Sequence, residues 1–281
     1  MKNLKINFLL IATLALLLIS CKENTSQQTE ETTQSEKKEE PVKFQNKGHE
    51  LVYKMVQKVG NYEKWSNEKN ATYTYTYKTP DGKTDISTEK YLFEGELSYG
   101  KYEQHERTLP DLKGEMEQGY DGKDFWLKID GDTVTDGKAL KAVKFNRATN
   151  YYWFSMLPKL LDSGLTYESL GEKNIADKMY DVVKVSFETK DKKPKDTYQL
   201  YINKKTSLVD QFLFTVVDFG IIDTPMLMQV QYETIEGFKI PTRRKYKKST
   251  WNADVSDAPW IEVFWTDIKF NTDITEADFK K

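Results

Sequence analysis

The sequence is poor in the residues that most catalytic and metal sites use. It has one cysteine, Cys21, and two histidines, His49 and His105, among 281 residues. A lone cysteine excludes an intramolecular disulfide, and two histidines far apart in sequence are a weak signal for a metal or acid–base site. No Gly-x-Ser-x-Gly, phosphate-binding glycine loop or His-Glu-x-x-His occurs. The sequence therefore predicts a chain without catalytic activity, cofactor or metal.

An excess of positive charge is also missing. The 42 basic residues face 44 acidic ones, for a net charge of −2. A nucleic-acid-binding domain carries a basic face, so no nucleic-acid partner is expected. The acidic stretch "DGDTVTD", residues 130–136, lacks the ligand and the glycine that a calcium loop needs at Val134 and Thr135. It is interpreted as a turn.

Only the start of the chain has a long apolar run. Lys2 and Lys5 precede a nearly continuous apolar run over residues 6–19. As a helix this run would span about 21 Å, which is short of the roughly 30 Å of a bilayer core. The pattern favours a secretory signal peptide over a membrane-spanning helix.

The end of this run, Leu18-Ile19-Ser20-Cys21, resembles the bacterial lipobox. The resemblance implies cleavage before Cys21, a diacylglycerol on its thiol and an acyl group on the new amine. Several acyl chains meet the requirement for stable anchoring. The alternative for Cys21 is a buried free thiol. Lys22 stands where an aspartate retains many lipoproteins at the inner membrane, so the outer membrane of the cell envelope is the expected location.

Composition then divides the chain into three parts. Residues 1–20 are the predicted signal peptide, and residues 21–44 are the lipidated cysteine and a tether. The tether is rich in Glu, Gln, Thr, Ser and Lys and cannot bury enough apolar surface to fold. Residues 45–281 form the predicted folded domain, for which a monomer is expected.

Two periodicities describe the folded domain. Apolar residues at helical spacing predict a helix over residues 47–59, and a second helix is predicted within residues 141–164, kinked or restarted at Pro158. Elsewhere a period of two predicts strands, beginning with Tyr73, Tyr75 and Tyr77 on one face.

Three strand-and-turn phrases resemble the LolA/LolB-like superfamily of lipoprotein carriers. They are "YDGKDFWLKIDGD", "LYINKKTSLVDQFLF" and "GFKIPTRRKY", in the family's order. The resemblance implies a mainly β (α+β) fold: a strongly bent antiparallel sheet forming an unclosed β-barrel, with an N-terminal helix and an inserted lid helix on the concave side. In the carriers, acyl chains occupy the space between sheet and lid. The arginine that restrains the lid in the soluble member has no evident counterpart in this sequence.

Two apolar segments are candidates for a ligand site. Most of their residues are expected in the core, but an apolar connection ahead of Pro225 also indicates a pocket mouth. The predicted lid residues are Trp153, Phe154, Met156, Leu157 and Leu160. The predicted mouth residues are Phe219, Ile221, Ile222, Met226 and Met228.

The sequence therefore predicts an anchored envelope lipoprotein that binds a lipid, an acyl chain or another apolar ligand without catalysis. The alternative is a glycan- or protein-interaction module that uses exposed aromatics, since the chain has 17 tyrosines and 6 tryptophans. The two hypotheses differ in whether Tyr73, Tyr75, Tyr77 and Trp251 form an exposed patch or line the interior. A hydrolase would need two facing carboxylates in the cleft.

Overall fold

The structure is a computed structural model that describes residues 42–188 and 195–281. Cys21 and the predicted signal peptide lie outside the described residues. Three helices and thirteen strands are described in these ranges. The helices are α1 Lys47–Val59, α2 Tyr62–Ser66 and α3 Gly137–Lys159. The strands are β1 Asn70–Lys78, β2 Thr84–Leu92, β3 Leu97–His105, β4 Met116–Tyr120, β5 Phe125–Ile129, β6 Asp132–Thr133, β7 Leu165–Ile175, β8 Lys178–Phe187, β9 Thr197–Asn203, β10 Val209–Val216, β11 Ile221–Ile235, β12 Phe238–Lys248 and β13 Ile261–Phe270.

Helix α1 has the bounds that its apolar spacing predicts. The Asn46 side chain accepts a hydrogen bond from the His49 amide at 3.1 Å and satisfies one free N–H of the first turn. Val52, Met55 and Val56 form its buried stripe. Gly60 follows the last turn at a φ of 154° and ends the helix.

The strands form one antiparallel sheet whose two edges do not meet. Its order is β6-β5-β4-β3-β2-β1-β13-β12-β11-β10-β9-β8-β7. At the centre β1 pairs with β13, the first with the last of these strands, with Tyr75 opposite Trp265. This open sheet with helices on one face confirms the predicted half-barrel.

Helix α3 connects one edge of the sheet to the other. It follows β6 at one edge of the sheet and precedes β7 at the other edge. A helix of 23 residues rises about 34 Å, whereas thirteen strands laid flat would place the edges about 58 Å apart. The difference fits a sheet that curves around the helix. We call the face that contacts α3 the inner face.

The prediction that α3 is kinked or restarted at Pro158 is wrong. The helix starts at Gly137, where the Asp136 side chain accepts from the Ala139 amide at 2.7 Å, and it ends at Lys159. Pro158 lies in the last turn, next to the end. A proline there removes the one N–H bond that would reach back to residue 154 and crowds that carbonyl, so its effect is confined to the last turns of the helix.

Aromatic and aliphatic side chains fill the inner face. Tyr73, Tyr75 and Tyr77 are buried there and pack with Trp265 and Phe154. A second cluster lies between α1, the end of α3 and strands β7–β12. Trp251 is half-buried on the opposite face, beside Tyr201 and Leu213. The tyrosines therefore line the interior and form no exposed patch.

Within the described ranges, no helix combines the length and the apolar character needed to cross a membrane.

Candidate ligand-binding site

A groove runs along α3 and leads to a pocket beneath it. The groove has a volume of about 820 Å³ and is bounded by α3, the β3–β4 connection and the β10–β11 connection. The inner pocket measures about 230 Å³. Four residues line both spaces, so the two spaces adjoin. They are Phe145, Ala148, Thr149 and Asp218.

Helical spacing explains which α3 residues reach each space. Lys138, Lys141 and Lys144 are exposed and line the outer groove. About two to four turns later, Tyr152 and Trp153 lie on the side of α3 that lines the inner pocket. Residues three or four apart share a helix face, so one face of α3 changes from basic to aromatic along its length.

The inner pocket is walled by aromatic rings. Trp153 meets Phe214 edge-to-face at a centroid distance of 5.9 Å, and Tyr152 lies 6.0 Å from Tyr198. Phe214 and Tyr198 belong to neighbouring strands β10 and β9. The pocket therefore opens between the helix and the sheet, where an apolar chain would be removed from water.

The β10–β11 connection closes one side of the groove. It is a 3₁₀ turn over Val217–Phe219. Phe219 is 64% exposed and meets Phe145 of α3 edge-to-face at 4.6 Å. A large aromatic with that exposure at the entrance to an apolar pocket offers contact area to a ligand.

Two carboxylates, Asp196 and Asp218, line the inner pocket. Burial raises the pKa of Asp196, and the negative charge of Asp218 raises it further. One oxygen of Asp196 accepts from the Val217 amide at 2.8 Å and from the Thr215 hydroxyl at 3.3 Å. These bonds hold the start of the turn, which gives Asp196 a structural role.

A buried ion pair fixes the middle of α3 to the sheet. The Arg147 guanidinium donates to both oxygens of Glu89 at 2.8 and 3.1 Å, and both side chains are fully buried. Burial would lower the pKa of Arg147, but the charge of Glu89 outweighs this and raises it. Ser87 and Tyr91 also donate to Glu89, at 2.7 and 3.0 Å. This bidentate, hydrogen-bonded pair resists separation.

Arg244 of β12 is a second buried contact of α3. It donates to the Trp153 carbonyl at 2.9 Å and to the Pro241 carbonyl at 3.1 Å. Its guanidinium lies 3.8 Å from the centre of the Trp265 ring. Burial lowers the pKa of Arg244 to about 10, which still leaves it charged at neutral pH. Two arginines thus bind α3 to the sheet, although the sequence did not reveal them.

The structure brings most of the predicted site residues together. Met156, Leu157 and Leu160 are buried in one cluster with Met226 and Met228, and Trp153 and Ile221 pack against it. Phe154 lies in the neighbouring cluster, stacked on Tyr73 at 4.9 Å. Of the ten, Trp153 and Phe219 line the spaces described above. The role of these residues in ligand binding stays a prediction.

The predicted loop around Ile221 and Ile222 is instead the start of a strand. β11 begins at Ile221 and includes Pro225. Alternation then turns Ile222 outward, where it is 42% exposed. The connection itself is shorter than expected, because a single 3₁₀ turn and Gly220 suffice to reverse the chain.

The histidines take part in local packing. His49 stacks on Tyr167, with ring centroids 4.6 Å apart. Both ring nitrogens of His105 lie 3.2 Å from a carbonyl oxygen, those of Thr108 and Gly114. Residues 42–188 and 195–281 contain no cluster of three His, Cys, Asp or Glu side chains arranged to hold a metal ion.

Sequence reasoning missed the lysines of the groove. α3 carries five cations and no acidic residue. That imbalance is visible in the sequence of a chain whose net charge is negative. This excess of basic residues was a usable signal, but the helix was predicted from the spacing of its apolar residues alone.

Comparisons with known proteins give one family match over part of the chain and name no ligand. Residues 132–221, about a third of the chain, match a family of unknown function, DUF6503. No curated protein matches the chain in sequence.

Several solved structures are similar in shape. A LolA superfamily protein from Nitrosomonas europaea is 13% identical with a TM-score of 0.49, and the match covers 83% of this chain and 97% of that one. A DUF1329 family protein from Desulfovibrio piger is 13% identical with a TM-score of 0.48, covering 83% and 95%. An outer membrane lipoprotein-sorting protein domain from Vibrio parahaemolyticus is 11% identical with a TM-score of 0.45, covering 83% and 96%. At these values the likenesses carry no inference about activity.

Proposed function

We propose that this chain is a lipid-anchored protein of the bacterial cell envelope whose half-barrel binds an acyl chain or a similar apolar ligand beneath α3, without catalysis. The observation that carries the proposal is the adjoining groove and inner pocket, with four lining residues in common. Ligand sites are concave, mostly apolar and few in a protein. The space under Trp153 and Phe214 is concave and has aromatic walls, with two carboxylates and two threonines on its remaining sides.

The pocket is small as it stands, but its surroundings are adaptable. Met156, Met226 and Met228 lie in the cluster that adjoins Trp153. Methionine has several rotatable bonds and repacks at little cost. A chain that enters past Ala148 would therefore find side chains able to move aside and enlarge the pocket.

A blocking substitution at Ala148 tests this site. Ala148 is exposed, on α3, and lines both the groove and the inner pocket. We expect Ala148→Trp to weaken binding of a fluorescent fatty acid about 10-fold or more, while the free energy of unfolding changes by no more than about 0.5 kcal/mol. Fluorescence titration and urea unfolding measure the two quantities.

A matched control is available at Ala277, an exposed alanine outside the groove and the inner pocket. Ala277→Trp adds the same indole and should leave fatty-acid binding unchanged. Equal binding by Ala148→Trp and the unsubstituted protein would refute the proposed entrance. Absence of binding by the unsubstituted protein to fatty acid, lysolipid and lipopeptide alike would refute the function itself.

The anchor is tested separately. Cys21→Ser should abolish incorporation of labelled palmitate and release the protein from the membrane fraction, since the thioether lipid is then missing. Persistent labelling of Cys21→Ser, or cleavage elsewhere in the first thirty or so residues, as is common for ordinary signal peptides, would show that the lipobox resemblance is misleading.

A further inference from the structure

The cations of α3 fall into two groups that differ in their partners. Arg147 pairs with Glu89, and Lys159 pairs with Glu96 and Asp162. Lys138, Lys141 and Lys144 line the outer groove. In residues 42–188 and 195–281, no acidic side chain forms an ion pair with any of these three. The unpaired cations are thus the ones beside the entrance.

Helix stability does not account for these lysines. Lys138 lies in the first turn of α3, where a positive charge opposes the helix dipole, and Lys141 follows in the next turn. Lys138, Lys141 and Lys144 also follow one another at a spacing of three, so like charges are neighbours on one face. An external anion would relieve both unfavourable terms.

The other charges around the groove leave this basic side intact. Arg107 also lines it, but its guanidinium is held beside the buried carboxylate of Asp85, with Nε 3.1 Å from an oxygen. Asp218 lines the groove at its junction with the inner pocket, and Asp196 lies further in. The positive end of the site is therefore outside and the negative end inside.

Apolar surface accompanies the lysines. Leu109, Phe145 and Phe219 line the same groove, and Phe219 is largely exposed. A ligand that fits must combine a negative group with an apolar one: the lysines attract the first, and the rings and the inner pocket receive the second. A free anion would use only half of this surface.

From this charge complementarity we propose that the ligand is an anionic amphiphile, whose negatively charged headgroup lies on Lys138, Lys141 and Lys144 while its apolar chain passes Ala148 into the inner pocket. This inference rests on the proposed function and specifies its ligand class. Asp218 at the junction of the two spaces and Asp196 in the inner pocket keep the headgroup on the lysines, because like charges repel.

A pair of lysolipids with the same acyl chain tests the charge preference. We expect lysophosphatidylglycerol, which is anionic, to bind about 10-fold more tightly than zwitterionic lysophosphatidylcholine at low ionic strength. Raised salt should reduce the ratio, since the lysines are exposed and their field is screened. Isothermal titration calorimetry below the micelle concentration measures both dissociation constants.

Two triple variants test whether the preference for the anionic lysolipid comes from the groove lysines. K138Q/K141Q/K144Q removes the three cations with residues of similar helix propensity and should bring the two lysolipids to within about 2-fold of each other. K58Q/K123Q/K269Q removes three exposed lysines that do not line the groove and should keep the 10-fold preference. A loss of preference in both variants would show a net-charge effect and overturn the groove assignment.

The remaining outcomes separate the inference from the function beneath it. Equal binding of both lysolipids to the unsubstituted protein would overturn the headgroup assignment and leave apolar binding standing. Binding of free glycerol phosphate as tight as that of lysophosphatidylglycerol would show an anion site independent of the chain, which also overturns it. Binding of fatty acid but of neither lysolipid would overturn this inference and leave the proposed function standing, whereas absence of binding to fatty acid, lysolipid and lipopeptide alike would refute both.

Discussion

The inner face is lined by Phe212, Met226 and Met228 in one half and by Asp85, Glu89 and Gln118 in the other. We call these the apolar half, between β7 and β12, and the polar half, between β2 and β4. The polar half holds the middle of α3 through the buried, hydrogen-bonded Arg147–Glu89 pair. The apolar half meets the last turns of α3 mostly with side chains that have no directional requirement, apart from the hydrogen bond that Arg244 of β12 donates to the Trp153 carbonyl. A ligand is therefore easier to admit beneath the apolar half, which is where the inner pocket lies.

The largest expected effect comes from breaking the ion pair of the polar half. Arg147→Met leaves the Glu89 charge buried without its partner, so the free energy of unfolding should fall by about 3–5 kcal/mol. The double variant E89Q/R147M removes both charges and should recover a large part of that loss. Urea unfolding measures both. A double variant less stable than Arg147→Met would contradict the account.

Gly100 tests the same ion pair by changing the space available to Arg147. A Cβ on Gly100 would lie 2.5 Å from Nη1 of Arg147, so the glycine leaves room for the guanidinium. We expect Gly100→Ala to displace that group and cost about 1–3 kcal/mol of unfolding free energy.

Gly137 provides the control for this substitution. It is the first residue of α3, and a Cβ there would meet nothing within 4 Å. Gly137→Ala should be neutral or stabilising by up to about 1 kcal/mol, because alanine favours a helix. Equal losses for the two glycines would exclude crowding at Arg147 as the cause.

The same exchange made in each half compares them directly. Met116 of the polar half accepts a hydrogen bond from the Gln118 amide at 3.4 Å, whereas Met228 lies in the apolar cluster. Met228→Leu should cost less than about 1 kcal/mol. Met116→Leu should cost about 1–2 kcal/mol, because it leaves a buried donor without an acceptor. Similar values in thermal unfolding would mean that the two halves do not differ in this respect.

The smallest expected effect is the contribution of His49 to the pH dependence of stability. His49 lies at the edge of the apolar half, stacked on Tyr167 of β7. Burial lowers the pKa of His49 below its usual 6.5, so the folded state disfavours the protonated ring. Its contribution to stability is complete above pH 6.5 and is lost as the pH falls through the lowered value. NMR titration of the imidazole measures the pKa, and His49→Gln should remove this part of the pH dependence. A pKa at or above 6.5 would contradict the prediction.

Local sequence patterns predicted individual helices and strands more reliably than they predicted which side chains meet in the tertiary structure. The apolar spacing of α1 and the alternation of Tyr73, Tyr75 and Tyr77 each report one element's own buried face, and both predictions are confirmed. Glu89 stands in an alternating strand where a charged residue would ordinarily face solvent. Its burial depends on Arg147, which lies on another element and far along the chain. No local periodicity contains that information.

The candidate site likewise depends on contacts between segments that are far apart in the chain. Trp153 and Phe219 were predicted from apolar character, and both line the spaces along α3. The prediction did not include Lys138, Lys141 and Lys144, because a basic helix face is ordinarily solvated surface. They form part of a groove only because the β3–β4 and β10–β11 connections lie beside them.

The amino-acid sequence by itself determined the period of each element, the turns between strands and the lack of an intramolecular disulfide, since these depend on residues close in the chain or on simple counts. The tertiary structure decided that β1 pairs with β13, that Glu89 meets Arg147 and that a basic groove adjoins a pocket walled by aromatic rings. The physical reason is distance along the chain: each of these contacts joins segments whose meeting depends on how the whole sheet curves around α3.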